Sequence, residues 1–209
     1  TYTPPTGAVA LHTGNLPAPA ITDHSAYHNN INYTGTGIGD PGRAFTWGGN
    51  TSMQPDILLV KDDGVVEWGL DDSGRGIKEE LNLNDTSATE TVAQSLLSFD
   101  TDGFTVGSDG TWNTSASVYL GTGWKASATS GIAVNSGVSH TSETPTNVAH
   151  GLGTTPTMVW AKATSTTGGW YVYHDKVTTA VSNHLFFDTT ALETTLTNAW
   201  GVHTSTNTI

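Results

Sequence analysis

The sequence predicts an all-β protein made of two tandem antiparallel β-sandwich-like repeats of jelly-roll or lectin-like type. Three observations predict it. The chain has 24 Gly and abundant Thr but few Lys, Glu, Leu or Met, a composition that disfavours helix and favours short strands joined by turns. Its apolar residues fall in short runs bounded by Pro, Gly and Asp-Gly. And part of the chain is written twice. Pro55 and Lys61 answer Pro156 and Lys162 at an offset of 101, and Trp68 answers Trp170 at 102. The run Asp85-Thr86-Ser87-Ala88-Thr89-Glu90-Thr91 answers Asp188-Thr189-Thr190-Ala191-Leu192-Glu193-Thr194 at 103, with five identities in seven. Loop insertions make an offset grow by single residues in this way, so the unit is a domain of roughly a hundred residues used in series.

Residues 1–30 read as a connector. Pro4-Pro5, Pro17 and Pro19 fix φ and remove backbone donors, so the stretch is expected to be extended and poorly paired. His24 and His28 have the spacing of a helical metal pair, but the flanks are not helical and no third ligand is fixed nearby, so they read as loop histidines.

The first repeat covers 31–126. Tyr33 to Gly37 and Asp40-Pro41-Gly42 are turn-rich, and Ala44 to Trp47 is a short strand. Ile57-Leu58-Leu59-Val60 is a continuous apolar run and reads as a strand buried on both faces. Asp63-Gly64 predicts a hairpin turn, with Val66, Trp68 and Leu70 alternating on the return strand. Residues 77–83 fit a helical turn or a strand equally, and Asp85 to Gln94 reads as a loop with one helical turn. Leu96 to Phe99 and Phe104 to Val106 flank Asp102-Gly103, a strong hairpin signal. Ser117 to Lys125 reads as the closing strand, with Val118, Leu120 and Trp124 on one face.

The second repeat covers 127–209, opening on a Ser/Gly/Ala-rich joint at 127–137. Met158-Val159-Trp160 is its buried strand, Trp170 to Tyr173 the return strand, and Leu185 to Phe187 leads into the repeated acidic motif. Matched against the first repeat, it lacks the closing strand, which would leave an open sheet edge, so the native polypeptide is expected to continue past Ile209.

Charge narrows the function classes. Seven Lys and Arg against 19 Asp and Glu give a net −12. That balance repels phosphate and anionic lipid, which argues against nucleic-acid binding and membrane docking. No run of 18 apolar residues exists, so no membrane insertion is expected. There are no cysteines, and hence no disulfides.

Candidate chemistry is sparse. Glu67, Asp71, Asp72, Glu79 and Glu80 are close in sequence, as glycosidase carboxylates must be in space, but the second repeat does not reproduce them and they read as solvated acidic loops. Asp100 to Gly103 and Asp62 to Gly64 offer oxygens to a calcium ion, yet Asp-Gly is also what a hairpin turn demands. Otherwise no metal or cofactor is expected. No Gly-x-Ser-x-Gly elbow and no phosphate-binding glycine loop appear. The chain is therefore not expected to be an enzyme. Trp47, Trp112, Trp170, Tyr171 and Tyr173 are the aromatic candidates for a glycan platform or a subunit contact, with burial in a sandwich core as the competing reading. Strand alternation puts Trp170 and Tyr171 on opposite faces, so one of them is expected at a surface or an interface.

The order of several motifs also resembles a repeat domain of tail-fibre and other virion appendage proteins of bacteriophages, especially marine ones. The motifs are Asn15 to Ile21 leading to Tyr33 to Gly37, then Gln54-Pro55-Asp56-Ile57 with Lys61, Ser73 to Gly76, Leu96 to Phe104, and Trp124-Lys125-Ala126. In the second repeat they are His150 to Gly153, Pro156, Lys162 and Gly169 to His174. In such proteins a SPRY-type, lectin-like domain precedes the repeats and ends in a segment like Tyr2 to Gly7. The resemblance implies a structural component of a phage virion, a tail fibre or a capsid or tail appendage, that contacts the host surface. Its partners would be other virion proteins, copies of itself, as trimers by fibre analogy, and host-surface glycan. It carries over no catalytic residues. The alternative is a carbohydrate-binding module without catalysis, and a third class, a depolymerase acting through Glu67 or Asp72, is the least favoured.

Overall fold

The computed structural model of the protein describes residues 18–139, 146–177 and 183–195. Pro4-Pro5, Leu16 and the chain after Thr195 lie outside them. The described chain is almost wholly β, and every pairing is antiparallel. A short 3-10 turn at His24–Ala26 precedes β1 (His28–Thr34) and β2 (Arg43–Phe45). There follow β3 (Ile57–Asp62), β4 (Gly69–Asp72), β5 (Glu79–Asn82), β6 (Glu90–Thr91), β7 (Leu96–Asp100) and β8 (Gly103–Val106). One helical turn, α1 (Gly110–Asn113), leads to β9 (Val118–Trp124). The C-terminal part has β10 (Met158–Lys162), β11 (Trp170–His174), β12 (Asn183–Phe186) and β13 (Thr194–Thr195).

Two sheets form a sandwich. One has the order β1-β9-β3-β4-β5-β6 and the other β2-β8-β7. Their facing side chains share one core: Tyr33, Leu58, Val60 and Tyr119 from the larger sheet meet Phe45, Leu96, Phe104 and Val106 from the smaller, with Trp47, Met53 and Trp112 filling between them. Each fully buried apolar side chain of this kind contributes about 1.5–3 kcal/mol. The remaining strands form a separate sheet, β10-β11-β12-β13. It lies against the outer face of the sandwich, where Trp170 packs with Leu70 and Leu81, bordered by Ile57, Leu59, Leu83 and Phe187. β3 is therefore covered on both faces, Leu58 and Val60 inward and Ile57 and Leu59 under the second sheet.

The two sheets share a pairing register. Ile57 faces Asp72 across β3–β4, and Met158 faces His174 across β10–β11, at the sequence offsets of 101 and 102. Glu79 faces Thr91 across β5–β6, and Asn183 faces Thr195 across β12–β13, both now 104 apart. Side chains repeat as well. The Thr91 hydroxyl is bonded to Glu79 at 3.1 Å, and the Thr195 hydroxyl to Asn183 at 3.0 Å. The backbone N–H of Trp68 donates to the Asn84 side chain at 3.0 Å, and that of Trp170 to Asp188 at 3.1 Å. Asp188 thus takes the place of Asn84, one residue away from the Asp85 that the sequence match pairs with it.

Several expectations change. β1 begins at His28, inside the expected connector. Residues 63–68 form a six-residue loop, so Val66 and Trp68 are not on the return strand. Residues 79–82 are strand, and the loop to Gln94 contains a two-residue strand instead of a helical turn. The expected closing strand, β9, is central, paired with β1 on one side and β3 on the other. Its inward residues are Tyr119, Gly121 and Gly123, whereas Val118 and Leu120 are exposed. The reason is space. A Cβ on Gly121 would lie 3.0 Å from the Phe104 ring, and one on Gly123 2.7 Å from the Trp47 ring. In the C-terminal sheet, the described residues show one layer.

Gly123→Ala should therefore be costly. Trp47 is held by its indole N–H donating to the Met53 carbonyl at 2.9 Å, and Pro55 closes the other side at 3.1 Å. Overpacking of this type costs about 1–3 kcal/mol. Urea unfolding should show that loss, and an unchanged midpoint would mean that Trp47 can swing aside.

Candidate functional site

A network of polar bonds joins the C-terminal sheet to the sandwich. Lys162 ends β10, and its ammonium donates to the carbonyls of Ala163 and Gly168 in its own hairpin, at 3.4 and 2.7 Å. It also reaches the carbonyls of Thr86 and Ser87 in the sandwich, at 3.1 and 2.7 Å. Backbone bonds flank it: Thr89 N–H donates to Thr164, and Gly168 N–H to Thr86. The Trp170 indole crosses the same junction to the Asn82 carbonyl at 2.9 Å. Desolvation lowers the Lys162 pKa, with Asp188 and Asp85 opposing the shift. Lys61, at the matching place in the sandwich, donates to the carbonyls of Asp62 and Gly64 at 2.7 and 2.8 Å and to the Asp62 carboxylate.

Beside the junction lies an open groove of about 500 Å³ lined by Gly74, Arg75, Glu79, Thr89, Ser136 and Thr164 among others. Arg75 does not address it as a free cation. Its guanidinium is bonded to the Asp72 carboxylate at 2.6 Å, the Leu70 carbonyl at 3.0 Å and the Glu79 carbonyl.

Two carboxyls are buried on the sandwich side of the same strands. Asp71 pairs with Leu58 of β3, so it faces the main core, and neither of its oxygens has a hydrogen-bond partner among the described residues. The β4–β5 register, carried one step on, brings it opposite Glu80, which accepts from the Trp112 indole. Burial pushes Asp71 up to about 8, an effect that Arg75 opposes and Glu80 reinforces. Burial likewise pushes Glu80 up to about 7, against the Trp112 hydrogen bond. Among the acidic residues expected in solvated loops, Asp71 and Glu80 are thus core residues on strands, because the register turns them inward.

The five aromatic candidates do not assemble into one surface. Trp47 and Trp112 belong to the sandwich core, and Trp170 is buried in the sheet junction. Tyr173 is buried too. Tyr171 alone is half-exposed, next to His184 and Phe186, on the face opposite Trp170. The buried indoles all find acceptors, as buried Trp requires: Met53, Glu80 and Asn82. Among the described residues, Trp68 and Trp160, which the sequence reads as strand residues and not as platform candidates, are the exposed tryptophans.

The other candidates are occupied by local bonds. Asp100 accepts from Ser98 and Thr105, Asp102 from the Met53 N–H, and Asp63 from the Val118 N–H. Gly103 has φ 128°, and a Cβ on it would lie 1.8 Å from the Phe45 carbonyl oxygen, so Asp102-Gly103 is placed by the turn. His28 lies on a strand instead of a loop, stacked on Trp124 and bonded to Thr122. Among the described residues no three His, Cys, Asp or Glu side chains lie together as a metal site would require, and no helix is long and apolar enough to cross a membrane.

Two predictions test this arrangement. Lys162→Met strands the part-buried carbonyls of Ser87 and Gly168 and leaves that of Thr86 with the Gly168 N–H alone; an unsatisfied acceptor costs at most about 1–3 kcal/mol. Calorimetry should show the C-terminal sheet melting earlier, before the sandwich; an unaltered trace would make the ammonium dispensable. The second concerns pH. Because folding raises the Asp71 and Glu80 pKa values, their favourable share of stability is complete below the unfolded carboxylate range, near pH 4, and is lost as pH rises towards 8. Asp71→Asn should remove up to about 1.4 kcal/mol per pH unit of that decline. Urea titrations between pH 5 and 9 would read the difference in slope, and parallel curves would show that Asp71 is ionised in the folded protein.

No curated protein and no solved structure matches the chain. The model of a protein family, described as a domain of unknown function (DUF7483), matches residues 23–209. The match starts at Asp23, whose carboxylate caps the turn before β1 by accepting from the Ser25 N–H, and it spans both the sandwich and the C-terminal sheet. The chain belongs to this family, DUF7483.

Proposed function

We propose that the chain is a structural component of a phage virion, a tail fibre or a capsid or tail appendage, exposed on the particle and built to extend it towards the host surface. In this reading residues 31–126 and 127–209 are two copies of one β unit, stacked in series, and the partners are other virion proteins and copies of the same chain. The observation that carries it is the sheet junction. Lys162, Trp170 and the bonds of Thr89 and Gly168 form a polar apparatus that joins one sheet to the next. That is the use expected of a building element. The motif order shared with phage appendage repeats supports the same reading.

A carbohydrate-binding module is the second reading. Tyr171, half-exposed beside the His184 and Phe186 rings, is the observation that favours it, since sugar faces stack on exposed aromatic rings.

Gold-labelled antibodies against the chain, applied to particles purified from a lysate, should decorate an appendage at a fixed position. Particles that stay unlabelled while the free protein binds a glycan array, with binding lost in Tyr171→Ala, would replace the virion reading with the second.

A further inference from the structure

The sheet junction is heterologous: it joins two different surfaces. The donor is the hairpin of the C-terminal sheet, Lys162 to Trp170. The acceptor is the outer face of the sandwich, made of Ile57, Leu59, Leu70 and Leu81 with the carbonyls of Asn82, Thr86 and Ser87. The shared register means that each surface has a counterpart. The donor's counterpart is the loop and strand end of the sandwich, Lys61 to Trp68. The acceptor's counterpart is the face of β10 to β12 carrying Met158, Trp160, Val172 and Leu185.

Within the chain, one donor meets one acceptor and both are buried; Trp170 is 4% exposed. The two counterparts are left open in part: at Trp68 and Val65 on the donor side and at Met158 and Trp160 on the acceptor side, with Val172 already buried. Trp68, in the place of Trp170, is 39% exposed, and Val65 in the same loop is 100% exposed. Met158 and Trp160, in the places of Ile57 and Leu59, are 44% and 42% exposed, although the sequence reads them as a buried strand. The leftover donor and acceptor thus carry the large apolar side chains that their buried counterparts cover.

We propose that copies of this chain associate head to tail, the Lys61 to Trp68 loop of one copy docking on the Met158 and Trp160 face of another. The occupant is a second copy because the complementary surface is present in the same molecule, in the geometry of the internal junction. Lys61 already holds its own hairpin carbonyls, as Lys162 does. It turns its remaining donor to the Asp62 carboxylate, where Lys162 has Ala163 beside it and reaches across to its neighbour. A heterologous contact of this kind propagates into a ring or an open row; it does not stop at a two-fold dimer. The net charge of −12 makes copies repel, so salt should strengthen the association. The inference concerns self-association alone and stands apart from the virion reading: unlabelled particles would not touch it.

Sedimentation of the full chain from micromolar to millimolar concentration tests it. The weight-average mass should rise from 21.9 kDa past twice that value, and rise further with salt. Trp68→Asp removes the donor and Trp160→Asp the acceptor, so each variant alone should stay monomeric. Mixed in equal amounts, the two should form a 1:1 heterodimer and nothing larger, because one good donor and one good acceptor remain. Val65→Asp, at a fully exposed position, should weaken association with no shift in thermal unfolding. A wild-type chain that is monomeric throughout, association that survives both Trp variants, or a mixture that stays monomeric would each overturn the proposal.

Discussion

Gly121 and Gly123 let two aromatic rings lie against the backbone of β9, and the sandwich is arranged around that close approach. β9 is the last strand of the sandwich in sequence and a central one in its sheet, held by β1 and β3. Its inward face is nearly bare, so the smaller sheet supplies the volume through Phe104, with Trp47 alongside. The sandwich is therefore packed asymmetrically, with backbone on one side facing large rings on the other. Strands far apart in the chain must pair before this core can close, and that makes the fold one of non-local contacts.

The same asymmetry explains what the sequence does and does not disclose. Asp102-Gly103 announces its hairpin because the turn needs a left-handed glycine and the Asp side chain serves the Met53 N–H. Ile57 to Val60 announces a doubly covered strand because both faces are apolar. β9 misleads because alternation counts side chains, whereas this core needs their absence. Val118 and Leu120 look like the buried set and face solvent instead. Met158 and Trp160 mislead for a different reason, since an apolar strand face reads the same whether its cover is in the chain or in a partner. Asp71 gives no local signal. Only the pairing of β4 with β3 turns it towards Leu58, and a register cannot be read from a four-residue strand.

Asp71 and Glu80 also show where the fold tolerates conflict. Two carboxyls in an apolar core are stable only as neutral acids or with donors to meet them, and Glu80 is met by the Trp112 indole. In the C-terminal sheet the place of Glu80 is taken by His184, buried as well, with burial lowering its pKa. A polar group at this place thus recurs while its chemistry changes. Such a position is shaped by the sheet's geometry, which turns the same place inward in both sheets.

Symmetry separates the two ways in which such a chain could assemble. A two-fold dimer uses the same patch of both copies, whereas a ring, the trimer of fibre analogy included, and an open row each use two different patches. The internal junction is of the second type: its lysine hairpin and its apolar face are different surfaces. Among the described residues Lys61 makes no bond back across the junction to match that of Lys162, so the contact has a direction. Direction is what lets units be added in a row, each offering the next the face that it does not use itself. The exposed Trp68 and Trp160 are then the two ends of one contact that the chain makes internally only once.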